Sequence, residues 1–187
     1  VFYSSHRIGS NATNLGSTIY GEATGKEVFF RTIADCRVKD NKIFEEWLVR
    51  DNLTILQQLG FNPIEMAKKD TTYKGVKPNF TFNKTYKALD KANLNGTILI
   101  PQEELIYNLF NTIWKDKNTD KAEEFYTDFS TLYAICKNNI EGKIAIQNYL
   151  ETFLNFFKNI KVKLERITSN KLEDGTTEIA ARWFVNG

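Results

Sequence analysis

The chain of 187 residues has only two cysteines, one histidine, one methionine and three prolines. Each scarcity excludes something. Cys36 and Cys136 lie far apart in mostly apolar, strand-like stretches, so both are expected as buried small hydrophobes, not a disulfide or a catalytic thiol. His6 has no metal-ligand cluster around it. A structural metal is therefore not expected, nor a catalytic triad recognisable from sequence, and no cofactor is called for. No apolar run approaches the ~18 residues that cross a bilayer, so no membrane helix is expected. The opening VFYSSHRIGSN lacks the charged-then-apolar order of a signal peptide. Charge of one sign is missing too: 25 Lys+Arg against 23 Asp+Glu leave a formal +2. Nucleic-acid binding, which usually needs a concentrated basic face, is not expected. What is present, 42% hydrophobic and 26% charged residues, describes a soluble, cytoplasmic chain able to bury a core.

All three prolines fall within residues 61–102, together with a Lys/Thr/Asn-rich stretch over 68–87. That region is expected as a linker between a first part, 1–60, and a second, 103–187. In the first part a Gly-, Asn- and Thr-rich loop over 9–25 precedes a strand over 26–38. Val28, Phe30, Thr32, Ala34, Cys36 and Val38 share one strand face, while Phe29, Arg31, Ile33, Asp35 and Arg37 share the other. Asp40-Asn41 sits where a tight hairpin turn is needed, since both types tolerate positive φ. A return strand over 42–50 then places Phe44, Glu46, Leu48 and Arg50 on one face, with Trp47 opposite as packing. Asp51 or Asn52 is expected to cap a helix over 53–59, which Gly60 ends.

The second part is helical in texture. Ile106, Leu109, Phe110, Ile113 and Trp114 follow a 3.6-residue period, and so do Ile146, Tyr149, Leu150, Phe153, Leu154 and Phe157. Between them Asp120 is expected to cap a short helix running through Phe125 and Phe129, followed by a strand over 131–136. Residues 97–100 are read as a further short strand. Two alternating strands close the chain around a hairpin turn at Asp174-Gly175. Aromatic residues make up 13% of the chain, and such residues line pockets as well as cores.

The run TGKEVFFRTIADCRVKDNKIFEEWLVRDNLTILQQLG over residues 24–60 resembles the C-terminal signature of the SnoaL-like polyketide (ester) cyclases. That signature reads T-G-K, an aromatic strand, a D-G-K-I hairpin, E-E-W and a closing L-x-x-L-x-Q-L-G helix. The step Ser-Ser-His6-Arg-Ile-Gly9 is similar to the family's G-T-H-x-G. In the second part, residues 108–120, the G-K-I-A-I run over 142–146 and the ending AARWFVNG resemble the family's N-terminal half. The resemblance implies an α+β fold of the nuclear transport factor 2-like kind, a curved antiparallel sheet wrapped by helices into a cone, with its elements in permuted order. Two origins fit that order: a slice through a tandem repeat, the commoner arrangement, or a circular permutation. Neither part is expected to bury its sheet alone. A homodimer, or halves exchanged between chains, follows as the expected assembly.

In that family the acid/base residue is an aspartate of the last strand, and its position falls on Leu48. The associated histidine's position falls on Ala34. Neither side chain moves a proton, so the family's ring closure is in doubt here. Glu46, on the Leu48 face, is then the candidate displaced base, and His6 the candidate proton carrier. Phe30, Thr32, Ala34, Cys36, Leu48 and Arg50 are the candidate ligand-binding residues around a pocket for a small apolar molecule. Two functions from different classes stand. One is a cyclase, isomerase or lyase working by cofactor-free proton transfer. The other is a ligand-binding or dimerisation module that has lost its acid/base pair.

Overall fold

Alternation in the first part produces three antiparallel strands, β1 (Phe2–Thr13), β2 (Glu27–Lys39) and β3 (Lys42–Arg50), in the spatial order β1-β2-β3. The structure, a computed structural model, describes residues 2–69, 98–134, 139–157 and 159–186. The chain is α+β, with antiparallel sheets and helices in two compact units. Among the described residues no helix is long and apolar enough to cross a membrane.

β2 is the middle strand, and one of its faces is the core of the first unit. Val28, Thr32, Ala34, Cys36 and Val38 are all buried, as the period of two requires. Asp40 and Asn41 take φ of 51° and 57°, the left-handed pair of a tight hairpin that joins β2 to β3. β1 runs longer than its composition suggests. Gly9 to Thr13 were expected in a loop, yet they pair with Arg31 to Glu27, because β2 offers them a complete row of backbone partners.

β3 leaves β2 at the Thr32–Arg50 pair, while β1 stays paired with β2 as far as Glu27. Helix α1 (Asn52–Leu59) fills the vacancy. Its Gln58 side chain accepts from the Phe29 N–H (2.9 Å) and donates to the Phe29 carbonyl (2.7 Å), so one primary amide stands in for a strand residue. Both ends of α1 are fixed locally. Asp51 accepts from the Thr54 N–H (3.0 Å) and hydroxyl (2.6 Å), and Gly60 turns left-handed at φ 87°. Lys26 donates to the Leu59 carbonyl (3.0 Å), and a Cβ on Gly60 would lie 2.5 Å from the Lys26 amine. The T-G-K and Q-L-G ends of the 24–60 motif therefore meet in space.

A short helix α2 (Pro63–Lys69) follows within the expected linker. Residues 70–97 lie outside the described residues, as does Cys136. The short strand expected over 97–100 is not formed by Ile98 to Ile100. They lead instead into α3 (Pro101–Leu109), where Glu103 accepts from the Ile100 N–H (3.2 Å) and Pro101 occupies the first turn.

In the second unit the apolar stripe continues past α3 into a π-helical turn, Phe110–Lys115. The Asp116 N–H reaches the Asn111 carbonyl five residues back (2.9 Å). The wider turn keeps Phe110 and Ile113 buried together. A 3-10 turn, Thr119–Glu124, comes next. Asn118, not Asp120, occupies its N-cap. Phe129 lies beyond it, 97% exposed, so the short helix expected there stops early. The pair β4 (Thr131–Tyr133) and β5 (Asn139–Glu141), helix α4 (Lys143–Phe156) and the hairpin β6 (Lys161–Lys171) with β7 (Thr177–Asn186) complete the order.

The helices of the second part find their apolar partner in the closing hairpin of the same unit. Ile113, Ile146, Leu150 and Leu164 form one core in which helix and hairpin cover each other. Phe110 and Trp114 pack on Trp183 at ring-centroid distances of 5.0 and 4.8 Å. The hairpin loop is tied by Asp174, which accepts from the Thr176 N–H (2.9 Å) and hydroxyl (2.6 Å). Those bonds hold its carboxyl below the usual range.

Gln58 yields the first prediction. Gln58→Ala leaves both Phe29 backbone groups without their partner and should cost about 1–3 kcal/mol. Gln58→Glu keeps the acceptor but sets a carboxylate against the Phe29 carbonyl, so it should be no milder. Urea unfolding checks both. Midpoints unchanged from the parent would refute the amide's role.

Candidate functional site

The register across the first sheet places the sequence-nominated residues in rows. Ser4, Cys36 and Glu46 make one row; His6, Ala34 and Leu48 the next; and Ile8, Thr32 and Arg50 a third. Residues directly opposite on neighbouring strands project to the same side. All the candidates therefore share one face, with Phe30 next along β2.

The face is buried along its middle and open at its sides. Thr32, Ala34 and Cys36 are 5%, 3% and 2% exposed, whereas Ile8 is 42% and Leu48 56% exposed. The candidate pocket is therefore not closed over Glu46 on the β3 side: Glu46 is exposed. Among the described residues β3 is an edge strand, so Leu48 has a strand neighbour on one flank only, in contrast to Ala34 directly opposite.

One residue of the expected face is displaced. Val38 pairs with Ile43 and Arg37 with Glu45, leaving Phe44 as the extra residue of a β-bulge. Its ring lies 4.9 Å from the Arg37 guanidinium, on the side where Arg37 also pairs with Glu45 (2.9 Å). Phe44 thus leaves the Glu46 face, and Ile43 takes its place opposite Val38.

Glu46 and His6 do not meet. They lie on strands either side of β2, two strand spacings or about 9–10 Å apart, and in different rows. Glu46 instead accepts from the Cys36 thiol, Sγ to Oε1 at 3.6 Å. His6 Nε2 is hydrogen-bonded to Ser4 Oγ at 3.0 Å, the donor being set by the histidine tautomer. The pairing of Glu46 with Lys42 or Arg50, the ordinary role of a rim carboxylate, is not made.

Burial pushes the Cys36 thiol up from its ordinary pKa, and the adjacent Glu46 carboxylate, then Asp35, push it further. A thiol so placed is a poor nucleophile. Trp47 lies on the opposite face, across from Asp35, and Asp51 is occupied in capping α1. The part of the site that alternation does not reveal is Tyr20. It comes from the long β1–β2 connection, packs against the Val28, Ile55 and Leu59 core, and donates its hydroxyl to Asn52 (2.8 Å). Burial raises the Tyr20 phenol and the charge of Arg50 draws it back. Among the described residues no cluster of three or more His, Cys, Asp or Glu is placed to hold a metal ion.

No family model, no curated protein and no solved structure matches the chain.

Cys36 supplies the second prediction. Because its folded pKa is raised, the folded chain holds this proton more tightly than the unfolded chain. Stability therefore falls as pH rises through and above the unfolded thiol's pKa. Cys36→Ala should remove that part of the alkaline loss. Glu46→Gln should move the pH midpoint of iodoacetamide labelling at residue 36, followed by peptide mass, to lower pH. A midpoint unmoved by Glu46→Gln would show that the carboxylate has no hold on the thiol.

Proposed function

We propose that the protein is a SnoaL-like module of the nuclear transport factor 2-like type that binds a small apolar molecule without transforming it. The observation that carries this reading is the Ala34–Leu48 pair. These two opposed positions at the centre of the sheet face are apolar, one 3% and the other 56% exposed. Where the resembling family keeps its acid and base, this face offers contact area and no proton acceptor. The order of elements also supports the family assignment. A strand pair joined by a tight turn and closed by a capped helix comes first, and helices that pack on a hairpin come second.

A second reading, cofactor-free proton transfer with Glu46 as base and His6 as proton carrier, is favoured by one observation: both side chains stand on the Leu48 face. Their separation by β2 means that a substrate would have to bridge them. That demands a rigid body about two strand spacings long.

The third prediction separates the readings. A neutral naphthalene dye should bind with a dissociation constant on the order of micromolar, about −8 kcal/mol. Leu48→Arg should weaken it at least tenfold, because a guanidinium would replace the apolar contact. Fluorescence titration measures both. Unchanged dye binding in Leu48→Arg would mean that the ligand sits elsewhere. Saturable turnover of an apolar carbonyl compound, with a pH–rate inflection that vanishes in Glu46→Gln, would replace binding by catalysis.

A further inference from the structure

The open face of the first sheet is not electrically uniform. Glu46 stands at one end of it and Arg50 four residues along the same strand, their backbone positions about 13 Å apart at the rise of an extended chain. Leu48 lies between them, flanked across the sheet by Ala34. Arg50 is held over the Phe30 ring at 5.7 Å and faces the Tyr20 side of the unit, where its charge reaches the phenol. Among the described residues it makes no ion pair, in contrast to Arg37, which is joined to Glu45 at 2.9 Å, and Arg182, 3.2 Å from Glu165.

A planar guanidinium steadied by an aromatic ring, with its fork of donors unspent, is suited to a carboxylate. The Glu46 end repels that same group, and the apolar stretch between the two charges leaves room for a hydrocarbon body. We infer that the ligand of this face is an amphipathic monocarboxylate, its acid group on Arg50 and its apolar body along the exposed Leu48 side chain. The inference rests on the apolar-ligand reading above and adds to it a charge and a direction. A cation would be drawn the other way, to Glu46, and a neutral molecule would gain nothing from either end.

Three probes of matched shape test it on the intact chain: naphthoate, the neutral naphthylmethanol and the cationic naphthylmethylamine, all substituted at the same ring position. At low salt naphthoate should bind about threefold to tenfold more tightly than the alcohol, the range expected of a partly exposed charge-assisted contact. High salt should shrink that advantage. Arg50→Gln should bring naphthoate down to the affinity of the alcohol and leave the alcohol unchanged, with circular dichroism confirming that the variant is folded. Equal affinities for naphthoate and alcohol in the parent would overturn the inference while the apolar-ligand reading stands. So would a preference for the amine, or a naphthoate preference that survives Arg50→Gln. Absence of naphthylmethanol binding would instead overturn the reading beneath it.

Discussion

Everything in the first unit depends on satisfying both backbone edges of β2. A buried strand cannot leave its N–H and C=O groups unpaired without a cost comparable to a lost hydrogen bond for each. β1 supplies one edge over the strand's length, from Glu27 to Val38. The other edge is shared. β3 covers it from Lys39 back to Thr32, and the Gln58 amide covers Phe29. That division fixes where the chain turns from strand to helix and why Asp51 must cap at that point. It also explains why α1 lies against Val28 and not elsewhere.

The same constraint shapes the candidate site. With β2 in the middle, its small side chains Thr32, Ala34 and Cys36 are pressed into the core, and chemistry-bearing groups are pushed outward onto β1 and β3. His6 and Glu46 are thus kept on the same face and kept apart by the strand that holds both. The Cys36–Glu46 contact is the one polar bond that crosses this face between β2 and β3 among the described candidates. It engages the carboxylate that stands next to Leu48 along this face.

What was legible in the sequence was local. The Asp40-Asn41 turn, the Asp51 cap, the Gly60 stop and the Asp174-Gly175 turn each depend on residues within four positions of one another. Short-range physics decides them. Alternation along β2 likewise named its buried face, because the period of two is a property of one strand. The bulge at Phe44 was not legible, since a register shift exists only between two strands. Nor was the exposure of Leu48, because alternation tells which side a residue faces and not what covers that side. The π-helical turn at Phe110 preserved the apolar stripe that predicted a helix, so the pattern could not reveal its different winding. Tyr20 was missed for a plainer reason. A loop of Gly, Asn and Thr carries no periodicity that would assign one tyrosine a neighbour thirty residues away.

The bulge at Phe44 has a consequence for self-association into fibrils. β3 bears five exposed apolar residues, Ile43, Phe44, Trp47, Leu48 and Val49, and such an edge is a ready template for an incoming strand. A straight newcomer can keep register only along residues 45–50, because the chain slips by one position at Phe44. Beyond that point its side chains would face the wrong way, and the local twist would carry the two strands apart. A single irregular residue thus shortens the straight part of the sticky edge to residues 45–50, without removing any of the apolar surface.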